Sequence, residues 1–435
     1  MHLDSLPAHK RSPQTRPRVT AKLLASITVL VLTTLVVSGM QAQTFTVIHT
    51  FNGQDGSFPA AGVSLDSRGN LYGTTVEGGP GGNGTVYKLA YRGSGWVLTQ
   101  LYSFTGTADG AQPQGGVAMA ADGTLYGTTN WGGGSGCQQY GGCGTVFHLN
   151  PPPSAPRSVL APWIQTVIYT FNQSNGEEPE GNLVFDHSGN LYGTTVVGGG
   201  SNQNCDCGVL YQLVPSGQGW TGNTIHVFTG RTIQNAHDGA YPVGGLIADA
   251  FGNLYGVTTE GGLYGGGIIY EFSNSGSSWT EQTLAEFQAS SGAVPMGGVI
   301  LDSSGNLYGT TTVGGANGSG TVFEFEHGGF LRVLYNLPTV CNNSCGPQGT
   351  MAMDRTGNRY GTVTAGGIYA NGTVFKLTPG TNGWTYTSLH DFTVQSGSDG
   401  AFPTGTLVID ENGNLYGTAS EGGEHNQGTI WKITP

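Results

Sequence analysis

The sequence predicts an all-β protein: a seven-bladed β-propeller of four-stranded antiparallel blades, its ring closed by the N-terminal strand joining the last blade. Three observations predict it. A phrase close to Gly-Asn-Leu-Tyr-Gly-Thr-Thr occurs seven times, four short β-prone runs align within each copy, and the two ends of the repeat region supply complementary parts of one unit. Composition agrees. With 77 Gly among 435 residues, long helices are disfavoured, and no Gly-X-Y period points to collagen. The 17 Phe, 19 Tyr and 7 Trp supply core surface that disordered chains lack.

The first element is not part of the ring. Lys10, Arg11, Arg16, Arg18 and Lys22 precede the uncharged run 23–37, followed by Ser38, Gly39 and Ala42. Basic, apolar, small is the order of a secretory signal peptide, cut after Gly39 or Ala42. The alternative is an uncut membrane anchor, since the run is near the short end of a spanning helix. Residues 1–42 are therefore read as the signal and 43–435 as one propeller domain. No Cys follows the run and no apolar tail precedes Pro435, so the expectation is a secreted or periplasmic protein with no membrane span after cleavage. Removing the signal takes the net charge from −12 to −16. Such acidity argues against a nucleic-acid partner, because phosphate binding needs a basic surface.

The central tyrosines of the phrase are Tyr72, Tyr126, Tyr192, Tyr255, Tyr308, Tyr360 and Tyr416, spaced by 54, 66, 63, 53, 52 and 56 residues. Insertions beginning at Pro151 and spanning 231–237 lengthen two of the units. Within each unit the first run resembles Pro-x-Gly-Gly-Val-x-x-Asp, as at 295–302, and the second is Asn-Leu-Tyr-Gly-Thr-Thr, as at 306–311. The third is Gly-Thr-Val-Phe-x-Leu, as at 372–377, and the fourth is led by Trp, as at 96–104 and 384–392. Gly, Pro, Asn and Ser clusters bound them all. The segment 44–51 has the form of a fourth run and 428–433 that of a third. A linear solenoid would need atypical capping repeats at both ends, whereas these ends complete each other and remove an open edge.

The phrase Asp-x-x-Gly-Asn-Leu-Tyr-Gly-Thr-Thr-x-x-Gly-Gly, followed by Gly-Thr-Val-Phe-Lys-Leu, resembles the GloVer-type tandem repeats of bacterial extracellular proteins, a choice-of-anchor family, over essentially everything after the signal. Asp66, Asp186, Asp249, Asp302, Asp354 and Asp410 stand ahead of the tyrosine phrase; the second unit departs at 121–124, and the sixth carries Arg359 in place of Leu. The resemblance implies an exported propeller-like protein. It brings neither catalytic residues nor a ligand.

The recurring Asp and Gly-Asn fall in the hairpin between the first two strands, where a turn cap explains them better than calcium. The recurring Tyr, Thr and Trp read as blade packing. Function is instead expected on the face formed by the outer-to-inner and second-to-third loops. There lie Asp55, Asp109, Asp238 and Asp399, in a recurrent Asp-Gly before Pro, and Glu77, Glu260 and Glu421, in a recurrent Glu-Gly-Gly. Trp131, Tyr140, Tyr264, Tyr369, His237 and His425 share the face. Carboxylates beside aromatic faces suit glycan recognition, or a protein partner through aromatic anchors. Turn chemistry and solvated Glu side chains would account for the same residues without a ligand.

The six cysteines form close pairs, Cys137 with Cys143, Cys205 with Cys207 and Cys341 with Cys345, on that same face. Local disulfides are the economical reading in an exported chain, although the tight Cys205–Cys207 link would be strained or exchange with the neighbouring pair. Zinc is the weaker rival, since no CxxC spacing occurs, and no metal or cofactor is expected. No GxSxG elbow, HExxH motif or phosphate loop is present. The leading expectation is a monomeric binding module for polysaccharide or a cell-envelope protein. The alternatives are a carbohydrate-active lyase or hydrolase with carboxylates at the channel mouth, and a passive envelope component.

Overall fold

The turn between a blade's first two strands shows how the repeat phrase becomes structure. Asp66 accepts the backbone N–H groups of Arg68 and Asn70, both at 2.9 Å, while its second oxygen accepts Asn70 Nδ2 at 2.7 Å and the Tyr72 hydroxyl at 3.2 Å. The same set of bonds recurs at Asp186, Asp249, Asp302, Asp354 and Asp410. These carboxylates are therefore turn caps. Partial burial pushes the carboxyls of Asp66, Asp186, Asp302, Asp354 and Asp410 up, but the hydrogen bonds outweigh it and hold them below the usual range, Asp354 at about 2.

The computed structural model describes residues 43–134, 136–137, 141–152, 162–200, 206–217, 219–230, 237–276, 278–338, 346–393 and 398–435. Among them Thr44–Thr434 forms one unit of seven four-stranded antiparallel sheets, without a helix. Blade 1 runs outward from the axis through Val63–Leu65, Leu71–Thr75, Thr85–Tyr91 and Trp96–Ser103, and blades 2 to 6 repeat that order. Blade 7 contains Val408–Ile409, Leu415–Ala419 and Thr429–Thr434, and its outer strand is Thr44–Thr50. Thr44 pairs with Thr434 and Thr50 with Thr429, which closes the ring as the chain ends predicted.

Inside each blade the second strand is sandwiched, and Leu71–Thr75 is buried at every position. Its glycine is required by close approach. Gly73 lies opposite Tyr87, and a Cβ there would sit 2.4 Å from the Tyr87 hydroxyl. Gly127 and Phe147, Gly193 and Tyr211, Gly309 and Phe323, and Gly417 and Trp431 repeat the arrangement, so the third strand's ring fills the space over each glycine. Between blades, the outer-strand tryptophans meet the preceding blade's repeat tyrosine edge-on: Trp96 on Tyr416, Trp220 on Tyr126 and Trp279 on Tyr192, with ring centres 5.5 to 6.1 Å apart. Arg359, the sixth unit's departure, is buried with its guanidinium 3.8 Å from the Tyr308 ring centre, so a cation–π contact replaces the apolar one.

The innermost segments approach one another backbone to backbone. A Cβ on Gly405 would lie 2.2 Å from the Gly62 nitrogen, and one on Gly349 would lie 2.2 Å from the Gly405 carbonyl oxygen. The Thr406 N–H also donates to the Ala61 carbonyl at 3.1 Å, joining blade 7 to blade 1 at the axis.

Candidate functional site

Where it is described, the loop after an outer strand crosses the propeller's face toward the axis, and the recurrent Asp-Gly shapes it. Asp55 accepts the Asn52 N–H at 2.9 Å and sits 3.0 Å from His49 Nε2. Asp109 accepts the Thr105 N–H at 2.8 Å and the Tyr102 hydroxyl at 3.0 Å, and Asp399 accepts the Thr393 N–H at 2.9 Å and sits 3.1 Å from His390 Nε2. Asp238 accepts the N–H groups of Thr229 and Gly239, both at 2.7 Å, and is 1% exposed. All four carboxylates are thus engaged in holding their own loops. Burial pushes Asp55 and Asp109 up, but the bonds from His49 and Asn52, and from Thr105 and Tyr102, outweigh it and hold both below the ordinary value. At His390 the balance runs the other way: burial lowers the imidazole more than the Asp399 charge raises it.

Three residues beyond these Asp positions, and beyond Asn175 and Ser291 at the equivalent places of the other loops, the chain bends into the left-handed region. Phe58, Gln112, Glu178, Tyr241, Val294 and Phe402 have φ between 54° and 58°, and each directly precedes a proline. Their amides donate to the preceding blade's second-to-third loop, as Gln112 does to the Asn83 carbonyl at 2.9 Å. A non-glycine residue with positive φ is uncommon. Here the kink is held from both sides, because the Gln112 carbonyl also accepts the Asn130 N–H at 3.1 Å. It delivers the residue after the proline to the axis.

The residues that follow the seven repeat prolines, Ala60, Gln114, Glu180, Val243, Met296, Gln348 and Thr404, rim a central cavity of about 170 Å³ floored by glycine backbone. Among the described residues Glu180 is the only ionisable side chain lining it, and none of them gives it a hydrogen bond. Burial, with a smaller contribution from the Glu178 charge, pushes its carboxyl from 4.5 up to about 7. Glu180 carries no motif. Its signal in the sequence is positional only, as the one acid among seven residues that follow the repeat proline.

The other candidates lie further out. Glu77, Glu260 and Glu421 pair through their backbones with Ser57, Ala240 and Ala401, and the side chains of Glu77 and Glu260 are exposed. Trp131 is half-buried and pairs with Ala111, His237 contacts Glu286, and His425 is exposed. Tyr264 and Tyr369 are 58% and 56% exposed at matching loop tips of blades 4 and 6, each beside an exposed aliphatic, Leu263 or Ile368. Cys137 and Cys143 form a disulfide, Cα atoms 5.1 Å apart, and Cys207 is also disulfide-bonded. Tyr140, Cys205, Cys341 and Cys345 lie outside the described residues.

A ring of seven such blades, with variable loops on one face and a constant hairpin on the other, defines a repeat β-propeller. The chain belongs to the Gloeobacter/Verrucomicrobia repeat family, whose profile matches residues 34–262, 160–342 and 244–435. None of the curated proteins matches it. Among solved structures it is similar to a candidate 6-phosphogluconolactonase from Bacteroides uniformis, with 15% identity over 80% of this chain and 88% of that one and a TM-score of 0.50. It is also similar to the extracellular domain of a candidate one-component system from B. thetaiotaomicron, with 10% identity over 89% of this chain and 39% of that one and a TM-score of 0.51. A gluconolactonase from Xanthomonas campestris gives 13% identity over 91% and 90% of the two chains and a TM-score of 0.42. At these identities the first two likenesses show the fold alone.

Proposed function

We propose that this propeller is an exported binding module whose loop face recognises a polysaccharide. The observation that carries the reading is the pair Tyr264 and Tyr369, which hold their rings out to solvent from glycine-rich loops while the repeat tyrosines of the blades are packed. Aromatic faces stack on the apolar faces of sugars, and both loops are held by backbone bonds, Gly262 N–H to the Asp238 carbonyl and Phe402 N–H to the Asn371 carbonyl, each at 2.8 Å, so they lose little entropy on binding. A glycan array followed by calorimetry tests this. Tyr264→Ala and Tyr369→Ala are each expected to weaken binding by about 5- to 30-fold, corresponding to roughly 1–2 kcal/mol for a truncated aromatic anchor. Undiminished affinity in both variants, or capture of an envelope protein but no glycan, would overturn the polysaccharide reading.

One observation favours a second, enzymatic reading: a carboxyl titrating near neutrality in a concave site. A two-carboxylate hydrolysis would need a second acid, and the cavity lining offers none besides Glu180. Product analysis on the same glycans separates the readings, since sugar release would favour the enzyme.

Glu180 has a consequence for stability whichever reading holds. Its folded-state pKa of about 7 lies above the ordinary 4.5, so the folded protein holds this proton more tightly than the unfolded chain. Stability contributed by the neutral carboxyl is therefore full below about pH 4.5 and is lost as pH rises through 7. Glu180→Gln is expected to melt above the parent at pH 8 and level with it at pH 4. An equal difference at both pH values would contradict the assignment.

A further inference from the structure

At four junctions between blades, the residue two before the outer strand's closing apolar residue faces the residue six before the closing apolar residue of the next blade's outer strand. In blade 6 His390 stacks on Phe45 with ring centres 3.5 Å apart, and in blade 5 Tyr335 stacks on Tyr386 at 5.1 Å. The corresponding residue is neutral at six of the seven junctions: Phe45, Leu98, Gln165, Gly222, Leu331 and Tyr386. The junction of blades 3 and 4 departs, because there His226 faces Glu281. Its Nε2 lies 3.4 Å from Asp238 Oδ1 and 3.4 Å from Glu281 Oε2, and the three ligand atoms all fall within 4.8 Å of one another.

Two comparisons inside the chain give these distances meaning. The same His–Asp pair closes to 3.0 Å at His49 and Asp55 and to 3.1 Å at His390 and Asp399, ordinary hydrogen-bond lengths. At His226 both carboxylates stand off equally. A zinc ion bound at 2.0–2.1 Å by nitrogen and oxygen ligands in a tetrahedron separates them by about 3.3 Å. In addition, Glu281 Oε1 is buried and finds no hydrogen-bond partner among the described residues, which is costly for a carboxylate oxygen unless a cation or donor meets it. Asp238 is already oriented by the amides of Thr229 and Gly239, the outer-shell support that metal-bound carboxylates require.

The geometry points to a zinc site formed by His226, Asp238 and Glu281, which ties blade 3 to blade 4 at the rim of the propeller with solvent in the fourth position. One imidazole with two carboxylates suits zinc better than calcium or magnesium, which prefer oxygen alone. The site is separate from the axial cavity and from the exposed tyrosines, and it does not depend on the polysaccharide reading.

The test is equilibrium binding of zinc to the full chain, with cobalt as a spectroscopic substitute. One zinc per chain and the visible bands of tetrahedral cobalt are expected. Glu281→Leu, which places at this junction the residue type found at Leu98, and His226→Ala should each weaken zinc binding by about 100-fold or more, since even lost outer-shell partners cost 10–100-fold. His237→Ala, which alters the exposed neighbouring imidazole, should leave it unchanged. Absence of zinc binding by the parent chain overturns the site, as does full binding by a folded Glu281→Leu protein. Loss of binding in His237→Ala would move the ion to the surface pair with Glu286. Should His226→Ala fail to fold, Glu281→Leu with a native circular dichroism spectrum decides alone.

Discussion

Deletion of residues 43–51 is expected to abolish cooperative folding. The strand Thr44–Thr50 is the outer strand of blade 7, and its partners come from the opposite end of the chain. Phe51 is fully buried against Tyr87 of blade 1, with ring centres 5.3 Å apart, and Phe45 stacks on His390 of blade 6. Removing the strand therefore strips three blades at once. Phe51 is fully buried and Phe45, Val47 and Ile48 are half-buried, so together they contribute roughly 4–8 kcal/mol on transfer scales, a large part of the stability of an ordinary domain. The row of peptide groups left bare along Thr429–Thr434 would then invite association. Urea unfolding should become broad and non-cooperative, and size-exclusion chromatography should show oligomers, which a peptide spanning the deleted strand added in trans should reduce. A truncated protein that stays monomeric and unfolds in one sharp transition would refute closure.

Gly405→Val is expected to destabilise the ring by about 3 kcal/mol or more, the upper range for forced overpacking. The reason is the identity of the obstructing atom. A Cβ at Gly405 meets the backbone nitrogen of Gly62 at 2.2 Å and its Cα at 2.5 Å, and backbone cannot rotate away as a side chain can. The strain would pass around the axis, because Gly349 approaches the Gly405 carbonyl just as closely. Gly95→Val is the control, since nothing lies within 4 Å of a Cβ there. It should change stability by no more than about 0.5 kcal/mol. Equal denaturation midpoints for the two variants would show that the axis tolerates side chains and is looser than drawn.

The seven units, their four strands and the ring closure were legible in the sequence, because each rests on a pattern repeated within one chain. The turn-cap role of Asp66 and its counterparts was legible for the same reason. Asp55, Asp109, Asp238 and Asp399 were harder. A carboxylate beside glycine in a loop has the same sequence whether it faces a ligand or folds back on its own amides, and only geometry separates the two. Glu180 was not legible, since it breaks a pattern rather than making one. Nor was the cluster at His226, because Glu281 comes from the next blade and reaches the imidazole only through the packing of one sheet on another.

Closure by Thr44–Thr50 also orders events in time. Within the ring the outer strand of blade 7 precedes every other strand in the chain, yet its partner, Thr429–Thr434, follows them all, so the ring cannot be completed until both are available. Contacts of such large sequence separation are slow to form. Six blades can assemble progressively while the seventh waits, and an exposed β-segment must persist for that interval. Once Thr44 lies beside Thr434, the first and last strands of the propeller are neighbours at the rim. The ring then has no inherent starting point, and a chain joined there and opened at one of the Asp-capped hairpins would describe the same molecule.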